Sequence, residues 1–416
     1  MKDLLIAIGK NAKKAFSKSI STKKKDKVLK DYQKIILINQ SKIIKENKKD
    51  LYFATKKKLQ SNLIKRLILD KKKVSLIIKS INSIKNLKDP VNNVLEKWRR
   101  PNGLKISKVT TPIGVISVIY ESRPNVTSDV ACLCFKSGNP VILKGGSEAY
   151  YSNKILSNLF RKVLKKNKVN INYVQFINNK NRKTVDFILS KMNKYIDVII
   201  PRGGKNLVKK VQDFSRIPVI GHLEGLCHTY VDSNADLKLA NKVILNAKLR
   251  NTAICGATET ILVHQKILKK FCDLVLINLK NNGCKIIADN KIKKKFKGKI
   301  ILAKESDWSK EYLAPIVSIK TVKNVREAIN HINKFGTMHT DAIITKSSRV
   351  SKIFLKEVKS SIAMQNTSTQ FADGGEFGFG GEIGISTNTL PPRGPVGLHQ
   401  LVSYKYEVIS NGKIRK

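Results

Sequence analysis

At 416 residues the chain exceeds one ordinary hydrophobic core, so two or three domains are expected, and its 41% hydrophobic content excludes a disordered chain. A formal net charge of +51 would ordinarily point to phosphate neutralisation on a nucleic acid. However, the lysines run along the whole chain and outnumber the arginines, with no compact basic arm, zinc finger or aromatic-interleaved strand, so a solvated basic surface is expected and no nucleic acid.

In chain order, Met1–Ile8 begins like a signal peptide, but its apolar stretch stops at Gly9-Lys10 and no small-residue cleavage site follows. An amphipathic first helix and a cytoplasmic protein are expected, and no apolar run is long enough to cross a bilayer. Residues 1–90 read as Lys-rich helices, with apolar residues at helical spacing in Val28, Leu29, Tyr32, Ile35, Ile36 and in Leu63, Ile64, Leu67, Ile68. From Gly114 the pattern changes to short β-branched runs: 115–120, 140–143, 173–177, 196–200 and 218–220, separated by helical stretches. Ser147 is the expected N-cap of a helix through about Lys165. A second series has strands at 229–231, 260–263, 315–319, 342–344 and 362–364, with helices over 236–249, 266–280 and 324–334. Near-continuous apolar strands alternating with helices predict α/β architecture with parallel sheets covered on both faces. Residues 100–111 and the tail after about Leu390 fit neither series and read as extended arms for a partner subunit.

Several strand ends carry candidate chemistry. Asn125, after Pro124 at a helix start, could cap that helix or donate its amide to a developing oxyanion. Lys144 closes a strand where a cation could reach a ribose or its phosphate, although lysine is common throughout this chain. Arg202-Gly203-Gly204 joins a strand to a helix, as in a phosphate-facing helix N-terminus, and also reads as a plain turn. The six cysteines, at 132, 134, 227, 255, 272 and 284, form no C-x-x-C, so no zinc site or other metal centre is expected from their spacing. A long chain without a secretion signal belongs in a reducing compartment. Cys255 stands apart: it lies on a Gly-rich bend, Ile254-Cys255-Gly256-Ala257, just before a strand. A thiol there has room for a substrate beside it, and backbone N–H groups can point at the group it attacks. His228, beside Cys227, reads as structural. Glu311, Glu376 and Glu382 read as surface or loop-fixing carboxylates, and Arg393 as a carboxylate or phosphate clamp or as a pin for the arm.

These segments together resemble the γ-glutamyl phosphate reductases, a family within the aldehyde dehydrogenase superfamily. The resemblance covers essentially the whole chain. It is carried by 119–127 (Ile-Tyr-Glu-Ser-Arg-Pro-Asn-Val-Thr), 141–146 (Val-Ile-Leu-Lys-Gly-Gly), 200–204 (Ile-Pro-Arg-Gly-Gly), 227–232 (Cys-His-Thr-Tyr-Val-Asp), 246–248, 255–260 (Cys-Gly-Ala-Thr-Glu-Thr) and 367–378.

The resemblance implies an aldehyde dehydrogenase-like fold: a Rossmann-type NADPH-binding domain over 1–99 and 112–225, a catalytic domain over 226–366, a Gly-rich return segment over 367–389, and an oligomerisation arm from 100–111 and 390–416. It implies NADPH-dependent reduction of L-glutamyl 5-phosphate to L-glutamate 5-semialdehyde in proline biosynthesis, in a homo-oligomer, with glutamate 5-kinase as a possible partner. Cys255 would be the nucleophile, forming a thioester as phosphate leaves, and Asn125 would match the oxyanion amide, at roughly 3–4 kcal/mol per donor. Lys144, Gly145, Ser147, Arg202, Gly203, Gly204 and Glu311 would hold the cofactor, and Arg123 and Arg393 the substrate. Ser147 stands three residues after Lys144, where NAD-preferring relatives often carry a carboxylate, and a hydroxyl beside a cation suits a 2′-phosphate. The hydrolytic members' general-base glutamate is displaced in Gly221-His222-Leu223-Glu224-Gly225-Leu226, which suits a reductase, while a two-residue slip would restore Glu224.

Two other readings remain open at this stage. An ordinary aldehyde dehydrogenase yielding a free acid would need an acidic base near 222–224 and no phosphate. A basic nucleic-acid-binding protein would not need Cys255.

Overall fold

The computed structural model describes residues 1–181 and 183–415. Arg182, inside the expected cofactor-binding domain, and Lys416, at the end of the expected arm, therefore lie outside the described residues. The chain forms two compact units: one from Met1–Gly221, Gly378–Gly384 and the chain from Val396 onward, the other from His222–Phe377 and Ile385–Pro395.

The first unit opens with five helices, Lys2–Phe16, Thr22–Ile38, Gln40–Lys56, Ser61–Leu67 and Lys71–Asn86. Most of their lysines face outward because each helix has one apolar stripe, whereas Lys25 is buried and pairs with Asp89 at 2.9 Å. Val28, Leu29, Tyr32 and Ile36 are fully buried together with Ile77, Ile81 and Ile84. Tyr32 meets Phe160 at a ring-centroid distance of 4.5 Å. Asp70 accepts from Lys73 N at 2.7 Å, ending one orphaned turn of backbone donors.

Four parallel strands form the unit's central sheet: β3 (Ile116–Tyr120), β4 (Val141–Gly145), β5 (Val174–Phe176) and β6 (Val198–Arg202), in the order β5-β4-β3-β6. Alternate residues here feed opposite cores: Ile116, Val118 and Tyr120 of β3 join one, Ile119 and the preceding Val115 the other. That two-sided burial is why these strands read as unbroken apolar runs. A separate antiparallel sheet joins β1 (Val94–Arg99), β2 (Lys105–Pro112) and the strand Val402–Ile409 in the order β1-β2-Val402–Ile409. It takes in residues 94–99, outside the segment expected to be extended, and β1 is exposed along its whole length.

The second unit is built on a seven-stranded parallel sheet. Its strands are β7 (Cys227–Val231), β8 (Thr258–His264), β9 (Lys285–Ala288), β10 (Ile301–Leu302), β11 (Ile316–Val322), β12 (Thr340–Ile344) and β13 (Ile362–Gln365), in the order β10-β9-β11-β8-β7-β12-β13. Every residue of β7, β8 and β12 is buried, and again alternate residues enter two cores: Ile261 and Val263 on one face, Leu262 on the other. Each fully buried aliphatic side chain of this kind contributes about 1.5–3 kcal/mol.

Three local expectations are corrected. Ser147 does not cap an α-helix: it lies in a 3₁₀ turn, Ser147–Ala149, and the helix runs Tyr150–Lys166 without a side-chain cap. Residues 218–220 make a single bridge, Ile199 to Val219, because Pro218 interrupts the ladder's donors. The helix expected over 266–280 is continuous but not uniformly α, passing through a π turn at Cys272–Leu276.

Candidate active site

Cys255 sits where helix Leu237–Leu249 gives way to β8, and it is half-buried. The bend is closed by Ala257 N donating to Ile254 O at 3.0 Å and by Ala253 N donating to Asn251 Oδ1 at 3.1 Å. It is also tied from outside. Thr369 Oγ1 donates to Gly256 O at 2.7 Å and lies 3.0 Å from Thr258 Oγ1, which in turn lies 2.8 Å from Thr229 Oγ1. Gln370 accepts from Arg250 Nε at 2.9 Å and donates to Ala247 O at 2.8 Å. Chain from 367 onward thus clamps both ends of the nucleophile turn, a role sequence reading did not attach to Thr369 or Gln370.

Gly225 presses its backbone against the cysteine. A Cβ at Gly225 would lie 2.4 Å from Cys255 Cβ and 2.6 Å from Cys255 O. Gly225 N donates to Glu311 Oε1 at 3.0 Å, so Glu311 buttresses the strand of chain behind the thiol. Cys227 Sγ lies 3.1 Å from Cys255 O, and burial pushes that thiol's pKa well above its ordinary value, leaving Cys227 a structural donor.

Two histidines that no local pattern marks share this place. Ligand atoms of His222, Cys255 and His339 all lie within 4.8 Å of one another, and the two rings meet edge to face with centroids 4.8 Å apart. His222 Nδ1 is 2.6 Å from Ile385 O, and His339 Nδ1 is 2.9 Å from Thr340 Oγ1. The only signal for them in sequence is His222 itself, in the stretch where hydrolytic relatives would carry their base. His228 is structural, fully buried with Nδ1 2.8 Å from Asp341 Oδ1. Beneath β8, Lys248 Nζ meets Glu259 Oε2 at 2.5 Å in full burial. Burial pushes the Glu259 carboxyl up to about 7, with the Lys248 ammonium pulling the other way. Arg393 donates to Lys359 O at 2.6 Å and is exposed.

In the first unit, Asn125 is the first residue of helix Asn125–Lys136 and not its cap; the cap position is Pro124. Its exposed amide donates to Asp129 Oδ2 at 3.1 Å. Arg123 is half-buried in the same connection. Lys144 is buried at the carboxyl end of β4, donating to Gly145 O at 3.1 Å, and burial holds its pKa below the usual lysine range. Close by, Gly145 lies so near Asn153 that a Cβ would come 2.2 Å from Nδ2, and that buried amide nitrogen has no partner. Glu148 accepts from Ser122 N at 2.6 Å. Arg202 donates to Ile383 O at 2.8 Å and pairs with Glu382 at 3.4 Å, while Gly204 N, opening helix Lys205–Phe214, donates to Glu121 Oε2 at 3.0 Å. A buried cation, an orphaned amide donor and a glycine at one strand end fit the ribose and phosphate of a dinucleotide.

A half-buried thiol on a clamped Gly turn, in a doubly covered parallel α/β protein, defines a class. The aldehyde dehydrogenase family model matches residues 3–289, and the chain belongs to that family, whose members use a nicotinamide cofactor. Within it, the chain is 45% identical to the γ-glutamyl phosphate reductase of Bartonella quintana, over 95% of this chain and 96% of that one. The γ-glutamyl phosphate reductase of Nautilia profundicola is 44% identical, over 94% and 95%. The crystal structure of the Thermotoga maritima γ-glutamyl phosphate reductase superposes with a TM-score of 0.96 at 38% identity, covering 99% of this chain and 100% of that one. An acetylating aldehyde dehydrogenase from Geobacillus thermoglucosidasius, at 16% identity and a TM-score of 0.70, shares the fold.

Proposed function

We propose that the chain reduces L-glutamyl 5-phosphate to L-glutamate 5-semialdehyde with release of phosphate, in proline biosynthesis. The observation that carries this reading is a half-buried thiol on a clamped turn in a chain that matches γ-glutamyl phosphate reductases nearly end to end. Cys255 attacks the γ-carbonyl; its sulfur bonds to carbon, the thiol proton leaves, and phosphate departs to give a thioester. Asn125 supplies an amide donor to the developing oxyanion, and the Cys255 backbone N–H a second. The dinucleotide, NADPH in this reading, would supply a hydride to the thioester carbon; the carbon–sulfur bond then breaks, releasing the aldehyde and returning Cys255 as the thiolate. Lys144, Gly145, Ser147, Arg202, Gly203, Gly204 and Glu311 hold it, and Arg123 and Arg393 hold the substrate's charged groups. The exposed sheet of residues 94–112 and 402–409 serves a homo-oligomer, the setting is the cytoplasm, and glutamate 5-kinase hands over the acyl phosphate.

The readily assayed reverse direction tests the reading. Purified protein should reduce NADP⁺ with glutamate 5-semialdehyde only when phosphate is present. Phosphate-independent turnover would mean ordinary aldehyde oxidation; undiminished turnover in Cys255→Ala would remove the thiol mechanism.

A further inference from the structure

We propose that Cys255, His222 and His339 form a site for a thiophilic divalent cation of the Zn²⁺ class, and that loading it takes the thiol out of catalysis. One sulfur and two imidazole nitrogens are a donor set that Zn²⁺ prefers, and three protein ligands leave a fourth position for water. The three ligand atoms lie within 4.8 Å of one another, whereas zinc–ligand bonds of about 2.0–2.3 Å in a tetrahedron separate ligands by about 3.5 Å. The site must therefore contract by about 1.3 Å at its widest pair. All three ligands lie outside helices and strands, and with the backbone of its turn clamped the thiol moves by rotating about its own Cα–Cβ bond.

The rings are already backed as metal-ligating histidines are. A carbonyl can only accept, so His222 Nδ1, 2.6 Å from Ile385 O, carries the proton and leaves the lone pair on Nε2. His339 Nδ1 is backed by Thr340 Oγ1 at 2.9 Å, and its Nε2 is buried with no partner, on a ring with no exposed surface. Backing of the remote ring nitrogen by a carbonyl or hydroxyl orients a ligand ring toward its metal. With the His339 proton on Nδ1, donating to Thr340 Oγ1, the orphaned Nε2 holds a lone pair on a ring that shares its place with a thiol and a second imidazole. His222 and Cys255 are only half-buried, so the cation exchanges with solvent. On binding, the sulfur–metal bond replaces the sulfur–hydrogen bond and the proton passes to buffer, with no redox change. Inhibition rests on Cys255 being the nucleophile, as proposed above; metal binding itself does not.

The test uses full-length, metal-free protein and Co²⁺ as a spectroscopic probe. One equivalent should give a thiolate charge-transfer band with tetrahedral ligand-field absorption, displaced by Zn²⁺. The band should vanish in Cys255→Ala, and Co²⁺ affinity should fall by at least about tenfold in His339→Gln and in His222→Gln, each verified as folded by circular dichroism. Zn²⁺ should abolish turnover reversibly, with its midpoint raised in either histidine variant and activity restored by a chelator. A missing thiolate band, a band that survives Cys255→Ala, or one Zn²⁺ midpoint shared by wild type and both histidine variants overturns the site. Co²⁺ bound with the full signature while turnover continues overturns the inhibition and places the fault in the role given to Cys255.

Discussion

Gly225→Ala isolates the position of the nucleophile from its chemistry. Gly225 has ordinary backbone geometry, so alanine adds no conformational strain; the conflict is purely steric. The new Cβ would stand 2.4 Å from Cys255 Cβ, 2.6 Å from its carbonyl oxygen and 2.8 Å from its Cα, and none of these is the loose end of a flexible side chain. Reaching ordinary contact near 3.4 Å requires about 1 Å of relative movement. The neighbours on the Cys255 side are held by the Thr369 and Cys227 bonds to Gly256 O and Cys255 O. Overpacking of this kind costs about 1–3 kcal/mol of stability, and a 1 Å misplacement at a reacting centre costs about 10²-fold in rate. The variant should therefore fold, keep its KM for the dinucleotide within about twofold and lose roughly 100-fold in kcat. Gly283→Ala is the control. Its φ of +78° strains alanine by about 1–2 kcal/mol in an open turn with nothing within 4 Å, so stability should fall while kcat holds. Steady-state kinetics with parallel thermal melts reads both. A Gly225→Ala enzyme with wild-type kcat would refute the argument that this backbone contact sets the thiol's place.

Two further outcomes follow from buried charge. Lys248→Met leaves Glu259 without its cation and should cost about 3–5 kcal/mol in denaturant titrations, with a deficit that grows as pH rises and the carboxyl is forced to ionise; Lys248→Met with Glu259→Gln, which keeps an acceptor for Leu313 N, should recover most of it. His331 is held down to about 2, first by burial and then by His228, Lys320 and Lys334, so the folded chain refuses a proton that the unfolded chain takes up below about 6.5. Its contribution is therefore complete above that pH and is lost as pH falls. By pH 5 the loss is about 2 kcal/mol, and His331→Phe should lose correspondingly less stability between pH 7.5 and 5 than wild type; an unchanged pH dependence would contradict the assignment.

Most of the parallel framework was legible because strands buried on both faces, such as 115–120 and 260–263, carry no polar alternation to obscure them. Lys285–Ala288 and Ile301–Leu302 were not anticipated: one starts on an exposed lysine, and the other is two exposed residues at a sheet edge. Cys255 stood out because its Gly-rich turn is local. His222 and His339 did not, since only the sheet brings β12's leading edge and the segment before β7 to the same thiol. The Arg202-Gly203-Gly204 turn reads in sequence as a phosphate-facing helix N-terminus or a plain turn, yet Gly204 N there donates to the carboxylate of Glu121, which follows the neighbouring strand. Side chains arriving from neighbouring strands leave no periodic trace in a single segment.

The central claim is that Cys255 carries the glutamyl group. Protein incubated with freshly generated L-glutamyl 5-phosphate and no reduced cofactor, then quenched in acid, can be weighed intact and mapped by peptide mass spectrometry. The account predicts one glutamyl adduct on the peptide containing Cys255, cleared on addition of NADPH and absent from Cys255→Ala. An adduct on another residue, or full turnover with Cys255 never acylated, would contradict it.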